Sequence, residues 1–318
     1  MNTDLLKMNR RLFLLSGLAS LPAGAALSAN FCDGSPEKPS QAVSRDPNHY
    51  ENRLRDHLWM WGHENPVHLV RDYKIPAAKA LSQADAVAAM GIPNDCVIRW
   101  TGLPEPPFDK FIKQFKNTKR VAWSIIDGAP QPIEVKKKMA FDLAEKMPNL
   151  TTFFLDDYFF GDAVPKTKNG KTESPANLTV DGIRSLYREV KGLPRPIDLA
   201  VVLYSRQLNP AIADHLEHCD VVSFWTWDGK HLADLEKNFA NYRKILPEKR
   251  TLLGIYMWDF GGRKPVQSDL MKKQCDFALK LYKEGEIEGM IFHCTPLVGR
   301  NIEAVEYAKK WIDEHAEE

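Results

Sequence analysis

The sequence has 318 residues, of which 44% are hydrophobic and 27% are charged, and its formal net charge is +1. This composition is typical of a globular protein with enough apolar residues for a full core. The near-neutral charge gives no reason to expect nucleic acid or an anionic membrane surface as a partner. The five cysteines match no zinc-site spacing, so we interpret those in apolar runs as buried residues rather than as disulfides or metal ligands.

The first 29 residues have the pattern of a secretory signal peptide. Lys7 and the pair Arg10-Arg11 precede an apolar run over residues 12–27, and small residues follow it. Residues 9–14, Asn-Arg-Arg-Leu-Phe-Leu, resemble the bacterial twin-arginine signal. We predict export to the periplasm or out of the cell by that route, with a Sec signal or an uncleaved anchor as the alternatives. The apolar run is short for a membrane span, so we expect no membrane association after the signal is removed.

Residues 30–50 are rich in Ser, Pro, Asn and Asp and predict a flexible linker. Strand-like and helical patterns alternate over residues 51–318. The strand-like runs are short and apolar on both faces, which is typical of parallel strands covered on both sides. They are Leu58 to Trp61, Cys96 to Trp100, Arg120 to Ile125, Thr151 to Asp157, Ile197 to Tyr204, Asp220 to Trp225, Thr251 to Trp258 and Glu288 to His293.

Helical patterns lie between these runs. They cover Ser82 to Met90, Phe108 to Phe115, Pro132 to Lys146, Val180 to Val190, Pro210 to His218, Leu232 to Leu246, Ser268 to Lys283 and Ile302 to Glu314. Eight strand-then-helix units predict an α/β fold, a single (β/α)8 TIM barrel that forms the catalytic domain over residues 51–318. A doubly wound open sheet is the alternative, but it normally has a glycine-rich phosphate turn after its first strand, and residues 62–66 form none. We expect neither a cofactor nor a bound metal.

Two adjacent carboxylates, Asp156 and Asp157, end the apolar run of the fourth strand. Barrel enzymes keep their active sites at the C-terminal ends of the strands. Adjacent residues on a strand point to opposite faces, so we expect one acid in the cavity, preferably Asp157. The other would cap a loop or pair with Arg99 or Arg206.

Two carboxylates that flank a bond suit glycoside hydrolysis, in which one protonates the leaving oxygen and the other attacks or activates water. Asp259, directly after the seventh strand, is our first choice as partner of the fourth-strand acid. Asp228 and Glu64 are the alternatives, although Asp228 also has the position of a helix cap.

Seven of the eight tryptophans lie on or next to strand-like runs, and Trp311 is the exception. Aromatic faces stack on the C–H faces of sugar rings, while charged and polar side chains bond the hydroxyls, and such walls are typical of ligand sites. The residues that we expect to bind substrate are Trp61, Glu64, Arg99, Trp100, Tyr158, Tyr204, Trp225, Trp227, Asp228, Tyr256, Trp258 and His293.

The chain resembles a glycoside-hydrolase-like TIM barrel over about residues 54–314. The resemblance depends on residues 154–159, 224–227 and 256–259, Phe-Leu-Asp-Asp-Tyr-Phe, Phe-Trp-Thr-Trp and Tyr-Met-Trp-Asp, after strands four, six and seven. It implies a glycoside hydrolase with a carbohydrate substrate. The chain has neither the Asn-Glu pair of the largest retaining clan nor the Asp-x-x-Asp-x-Asp-x-Glu of chitinase-like enzymes, so no single family is indicated.

Two other functions fit the same strand ends. A metal-dependent sugar isomerase or epimerase would use several carboxylates and a histidine, such as Asp157 and His293, as ligands. A non-catalytic carbohydrate-binding barrel would keep the tryptophans and need no pair of acids.

Overall fold

The computed structural model describes residues 53–64, 71–79, 81–129, 131–168 and 171–318. The predicted signal peptide, residues 1–29, and the predicted linker, residues 30–50, lie outside the described residues. Within the described ranges, no helix is both long and apolar enough to cross a bilayer.

Eight parallel strands form a closed barrel, in which each strand pairs with its neighbours in the chain and the last pairs with the first. The strands are β1 (Leu58–Gly62), β2 (Asn94–Val97), β3 (Arg120–Ile126), β4 (Leu150–Leu155), β5 (Asp198–Tyr204), β6 (Val221–Trp225), β7 (Arg250–Tyr256) and β8 (Gly289–His293). Nearly all of their residues are buried, because one face packs inside the barrel and the other packs against helices. The predicted TIM barrel is confirmed, and the open-sheet alternative is wrong.

The helices pack around the barrel. Residues 71–73 are helical, and the α-helices that follow are α1 (Gln83–Ala89), α2 (Ile133–Lys146), α3 (Val180–Lys191), α4 (Ala213–Leu216), α5 (Leu235–Ile245), α6 (Ser268–Lys283) and α7 (Glu303–His315). The Ser82 hydroxyl caps α1 by accepting from the Asp85 amide at 3.1 Å. Two predicted helices are shorter than expected: a 3-10 helix covers only Phe111–Phe115, and the segment 210–218 splits into a 3-10 turn (Pro210–Ile212) and α4.

The N-terminal end of the barrel is filled by side chains. The Arg120 guanidinium lies 4.7 Å from the Trp59 ring centroid and donates to the Asn94 side-chain oxygen at 3.0 Å. Asn94 in turn donates to the Leu58 carbonyl at 2.7 Å. These buried polar groups are hydrogen-bonded to one another, as burial requires.

The long segment after β4 is ordered around a small hairpin, Lys166–Lys168 with Lys171–Glu173. The Asn177 amide donates to the carbonyls of Asp157 and Tyr158 at 3.0 and 2.9 Å, so the segment returns to the end of β4. The Gln207 amide, after β5, donates to the Phe159 carbonyl at 3.1 Å. The segment is therefore joined to the loop after β5.

Candidate active site

The C-terminal ends of the barrel strands enclose a cavity of about 210 Å³. Aromatic rings form most of its wall, and the formally charged side chains in its lining are two carboxylates and one guanidinium. The lining residues are Trp61, His63, Tyr73, Trp100, Asp156, Asp157, Val202, Tyr204, Arg206, Trp225, Trp227, Tyr256, Phe260 and His293.

Strand alternation places much of this lining. Every second residue of a strand faces the barrel interior. Trp61 and His63 are two apart at the end of β1, and Val202 and Tyr204 are two apart on β5. Residues two positions apart on a regular strand share a face, so both side chains of each pair point into the cavity.

Trp225 forms part of the cavity wall where β6 ends. Its ring lies edge-on to Trp61, with centroids 5.5 Å apart, and its Nε1 donates to the Ser223 hydroxyl at 3.0 Å. The neighbouring strand has Gly254 at this level, where an added Cβ would lie 1.9 Å from the nearest Trp225 ring atom. The glycine therefore provides the space that the indole occupies.

Both acids at the end of β4 line the cavity. The strand ends at Leu155, and the Asp156 amide still donates to the Ile126 carbonyl of β3 at 2.9 Å. Asp157 then takes a left-handed backbone conformation with φ of 45°. Because the chain leaves the strand geometry here, two consecutive side chains reach one cavity, and the expectation that only one would do so is wrong.

Asp156 is buried, with 6% of its surface exposed. Burial raises its pKa well above the ordinary value, and the negative charges of Asp157 and Asp127 raise it further. Asp127 is itself fixed by the Lys136 ammonium at 2.8 Å and by the Ser124 hydroxyl at 3.0 Å. The structure thus favours a protonated carboxyl group at Asp156.

Asp157 is exposed to solvent beside it. The Tyr204 hydroxyl donates to its carboxylate at 2.9 Å. The Arg206 guanidinium lies over the Tyr204 ring, 4.3 Å from its centroid, and 5.9 Å from that of Trp227. Tyr204 therefore contacts a negative group with its hydroxyl and a positive group with its ring.

His293 lies among aromatic rings at the end of β8. Its imidazole stacks on Trp61, with centroids 6.0 Å apart and an interplanar angle of 26°, and Phe260 is edge-on at 4.9 Å. Burial lowers its pKa well below the ordinary value, and His63 lowers it further. The imidazole is therefore neutral at physiological pH and contributes a polar atom to an apolar wall.

Asp259 is not in the cavity lining, so the structure does not place our first-choice partner with the acids of β4. Its Oδ1 accepts from the amides of Gly262 and Gly229 at 2.8 and 3.3 Å. It faces a separate cavity of about 200 Å³ that Lys264 also lines. Asp228 is also outside the lining; it caps the following 3-10 helix and pairs with Lys230 at 2.8 Å. Both carboxylates bind loop backbone amides, while the neighbouring residues Trp227 and Phe260 line the cavity.

Besides Asp228, four more of the residues expected to bind substrate lie outside the lining. The Arg99 guanidinium donates to the carbonyls of Pro104 and Gly102 at 3.1 and 3.0 Å, which fixes a loop. Tyr158 is buried, and its hydroxyl lies 2.9 Å from Nδ1 of His215. The remaining two are Trp258, buried in a short two-stranded turn, and the exposed Glu64.

The lining contains five residues that the sequence did not assign to the site. His63 and Arg206 lie at strand ends where the pattern could have indicated them, and Val202 follows from the alternation on β5. Tyr73 ends a helical segment over residues 71–73 and Phe260 lies in a turn, so neither lies on a strand whose alternation would predict the direction of its side chain. Within the described ranges, no group of three or more His, Cys, Asp or Glu side chains is placed to hold a metal ion.

Comparisons with known proteins identify the fold and no family. No family model matches the sequence, and no curated protein matches it. The catalytic domain of a hyperthermophilic chitinase from Pyrococcus furiosus superposes with a TM-score of 0.51 at 12% identity, over 81% of this chain and 96% of that one. Catalytic-site mutants of active domain 2 of chitinase from P. furiosus give 0.50 at 12% identity, over 81% and 96%.

A GH99 endo-α-mannosidase from Bacteroides thetaiotaomicron gives a TM-score of 0.47 at 9% identity, over 82% of this chain and 97% of that one. At 12% identity, the superpositions on the two chitinase structures show a shared fold and no shared chemistry. The chain therefore has the eight-stranded barrel fold found in glycoside hydrolases, as its resemblance to such barrels predicted.

Proposed function

We propose that the protein is a glycoside hydrolase in which Asp156 is the general acid and Asp157 is the carboxylate that acts with it. The observation that carries the proposal is the position of the two carboxylates, one buried and one solvent-exposed, in a single aromatic-walled cavity. A buried carboxyl group with a raised pKa beside a second, solvent-exposed carboxylate is the arrangement that glycoside hydrolysis needs.

Asp156 supplies the proton. Because its pKa is raised, the carboxyl group retains a proton at pH values where an ordinary aspartate has lost it. It donates that proton to the glycosidic oxygen as the bond to the anomeric carbon breaks, so the leaving sugar departs as a neutral alcohol.

Asp157 acts on the sugar ring and on the water molecule that attacks it. Its negative charge, held by the Tyr204 hydroxyl, stabilises the positive charge that develops on the sugar ring in the transition state. It also accepts a proton from the water that completes the hydrolysis, and it then releases that proton to solvent. The Asp156 carboxylate left by the first step is restored when it takes up a proton from solvent.

The aromatic wall holds the sugar. Trp61, Trp225 and Tyr256 form a continuous set of rings, with Trp225 centroids 5.5 and 5.1 Å from those of Trp61 and Tyr256. Flat apolar faces of this kind bury the C–H face of a sugar, and the polar groups at the rim orient it.

The test is turnover of plant, algal and host glycans by the wild type and three isosteric variants. Asp156→Asn and Asp157→Asn each remove one proposed group, and we expect each to lower kcat about 100-fold to 10,000-fold. Asp259→Asn is the matched control, because its side-chain oxygen still accepts from Gly229 and Gly262 and it lies outside the cavity. We expect this variant to keep nearly full activity.

Two results would contradict the proposal. Loss of activity in Asp259→Asn equal to that in Asp157→Asn would move the chemistry to the second cavity. Binding of a glycan by the wild type with no turnover of any glycan would favour the non-catalytic carbohydrate-binding barrel.

We also propose that the mature protein acts outside the cytoplasm. The support is the sequence pattern of residues 1–29, with Arg10-Arg11 before an apolar run. Replacing both arginines by lysine should leave the protein in the cytoplasmic fraction, and unchanged export would contradict the twin-arginine route.

A further inference from the structure

We infer that Arg206 forms a subsite for an anionic sugar substituent, a carboxylate or a sulfate, and that the substrate is therefore an acidic glycan. The inference deepens the proposed function and rests on it, since it assumes that the cavity accepts a sugar.

Among the described residues, Arg206 is the one formal cation in the lining of the cavity at the C-terminal strand ends. Its side chain is exposed, and none of its nitrogens lies within 4.0 Å of a carboxylate oxygen of the described residues. It also makes no side-chain hydrogen bond to any described residue. Aromatic stacking on Tyr204 and Trp227 holds the guanidinium in place.

This arrangement leaves the donors of the guanidinium available to a ligand. The planar group carries five N–H donors in a fork that matches two oxygens of a carboxylate or sulfate. A stacked guanidinium is already ordered, so little conformational entropy is lost when it binds an anion.

Tyr204 keeps the two charges apart. Its hydroxyl donates to Asp157 while its ring face carries Arg206, so the cation does not neutralise the acid. Asp157 would repel an anionic substituent, and Arg206 would attract it. The substituent is thereby directed to the side of the cavity near Trp227, away from the acid pair.

Tyr256 offers a second donor for the same group. It is buried in the cavity lining, near enough to both Asp157 and Arg206 for their charges to act on its phenol. Within the described ranges its hydroxyl has no hydrogen-bond partner. An anion held by both groups would gain one neutral and one or two charge-assisted hydrogen bonds.

The experiment compares matched sugars on the Asp156→Asn variant, in which binding is measured without turnover. The pairs are glucuronate with glucose, galacturonate with galactose, and glucose 6-sulfate with glucose, each titrated by calorimetry or ligand-observed NMR. We expect an acidic member to bind about tenfold or more tightly than its neutral partner, the effect of one or two charge-assisted hydrogen bonds. The uronates and the sulfate ester distinguish a carboxylate from a sulfate subsite.

Adding Arg206→Gln should abolish this preference, and Arg206→Lys should restore only part of it because lysine lacks the planar fork. Lys230→Gln is the control: it removes a cation that pairs with Asp228 outside the main cavity, and the preference should remain. Thermal unfolding checks that each variant is folded.

Equal binding of acidic and neutral sugars, or a preference that survives Arg206→Gln, would overturn the inference, as would binding of no acidic sugar at all. Failure of the proposed function gives a different result. In that case the acidic sugar still binds through Arg206, while the wild type cleaves no glycan that contains it.

Discussion

Asp95 allows the sharpest test of how a buried acid changes the free energy of unfolding of this barrel with pH. Its side chain points from β2 toward α1 and is fully buried, with Oδ1 accepting from Nε2 of Gln83 at 2.9 Å. Neither Oδ2 of Asp95 nor Oε1 of Gln83 has a partner among the described residues. Gly62 leaves no spare room, since an added Cβ would lie 1.8 Å from the Gln83 amide nitrogen. Burial raises the pKa of Asp95 from 3.8 to about 8.

The direction of the pH effect follows from that shift. Between pH 4 and 8 the folded chain holds a proton at Asp95 that the unfolded chain has released. The free energy of unfolding therefore falls as pH rises through this window, and Asp95 causes no further loss above about pH 8. At 1.36 kcal/mol a unit, the full shift corresponds to a loss of roughly 6 kcal/mol, as an upper limit.

Asp95→Asn mimics the protonated acid at every pH, so we expect the variant to gain stability over the wild type as pH rises. Urea unfolding at pH 5, 6, 7 and 8 measures this difference, and we expect it to grow by several kcal/mol over the series. Asp142→Asn, at an exposed ion pair on α2, is the control and should show a difference that stays small. A stability difference between Asp95→Asn and the wild type that does not change with pH would refute the reasoning.

Two further predictions concern the candidate site. Gly254→Ala places a Cβ 1.9 Å from the Trp225 ring, so we expect a loss of about 1–3 kcal/mol in unfolding free energy together with a lower kcat/KM. Gly261→Ala, whose Cβ would meet nothing nearer than 3.4 Å, is the control, and equal effects in both variants would contradict the packing argument. Asp127→Asn removes a charge that raises the pKa of Asp156, so the alkaline limb of the pH–rate profile should move to lower pH. An alkaline limb that stays in place would show that Asp156 is not the acid.

The barrel could be predicted because its signal is repeated in every unit. Each strand-like run is apolar on both faces and alternates with a helical pattern, which is typical of a parallel sheet covered on both sides. The largest error in a strand position was in β2, predicted from Cys96 and observed from Asn94. Asn94 and Asp95 are polar but make buried hydrogen bonds, so their polarity concealed the start of the strand.

Strand periodicity predicts the direction of a cavity side chain only for residues that lie on the strands. Trp61, Tyr204 and Tyr256 lie on strands, where alternation fixes the direction of a side chain, and they line the cavity as expected. Asp259 and Tyr158 come after a strand has ended. Loop hydrogen bonds determine where those two side chains point, and the sequence does not reveal those bonds.

Asp156 and Asp157 were misjudged for the same reason, because they follow the end of β4 and strand alternation does not apply to them. The sequence suggested a strand that continued to Asp157, which would have separated the carboxylates, but the strand ends at Leu155. The left-handed conformation of Asp157 that follows is uncommon for a residue other than glycine, and apolar patterning gives no sign of it.

The most direct test of the central claim is a crystal structure of the Asp156→Asn variant with an oligosaccharide that the wild type cleaves. The account predicts that the oxygen of the scissile bond lies within about 3 Å of the side chain at position 156. It also predicts that a sugar ring packs on the aromatic wall formed by Trp61, Trp225 and Tyr256. An oligosaccharide bound beside Asp259, or a scissile oxygen out of reach of position 156, would contradict the account.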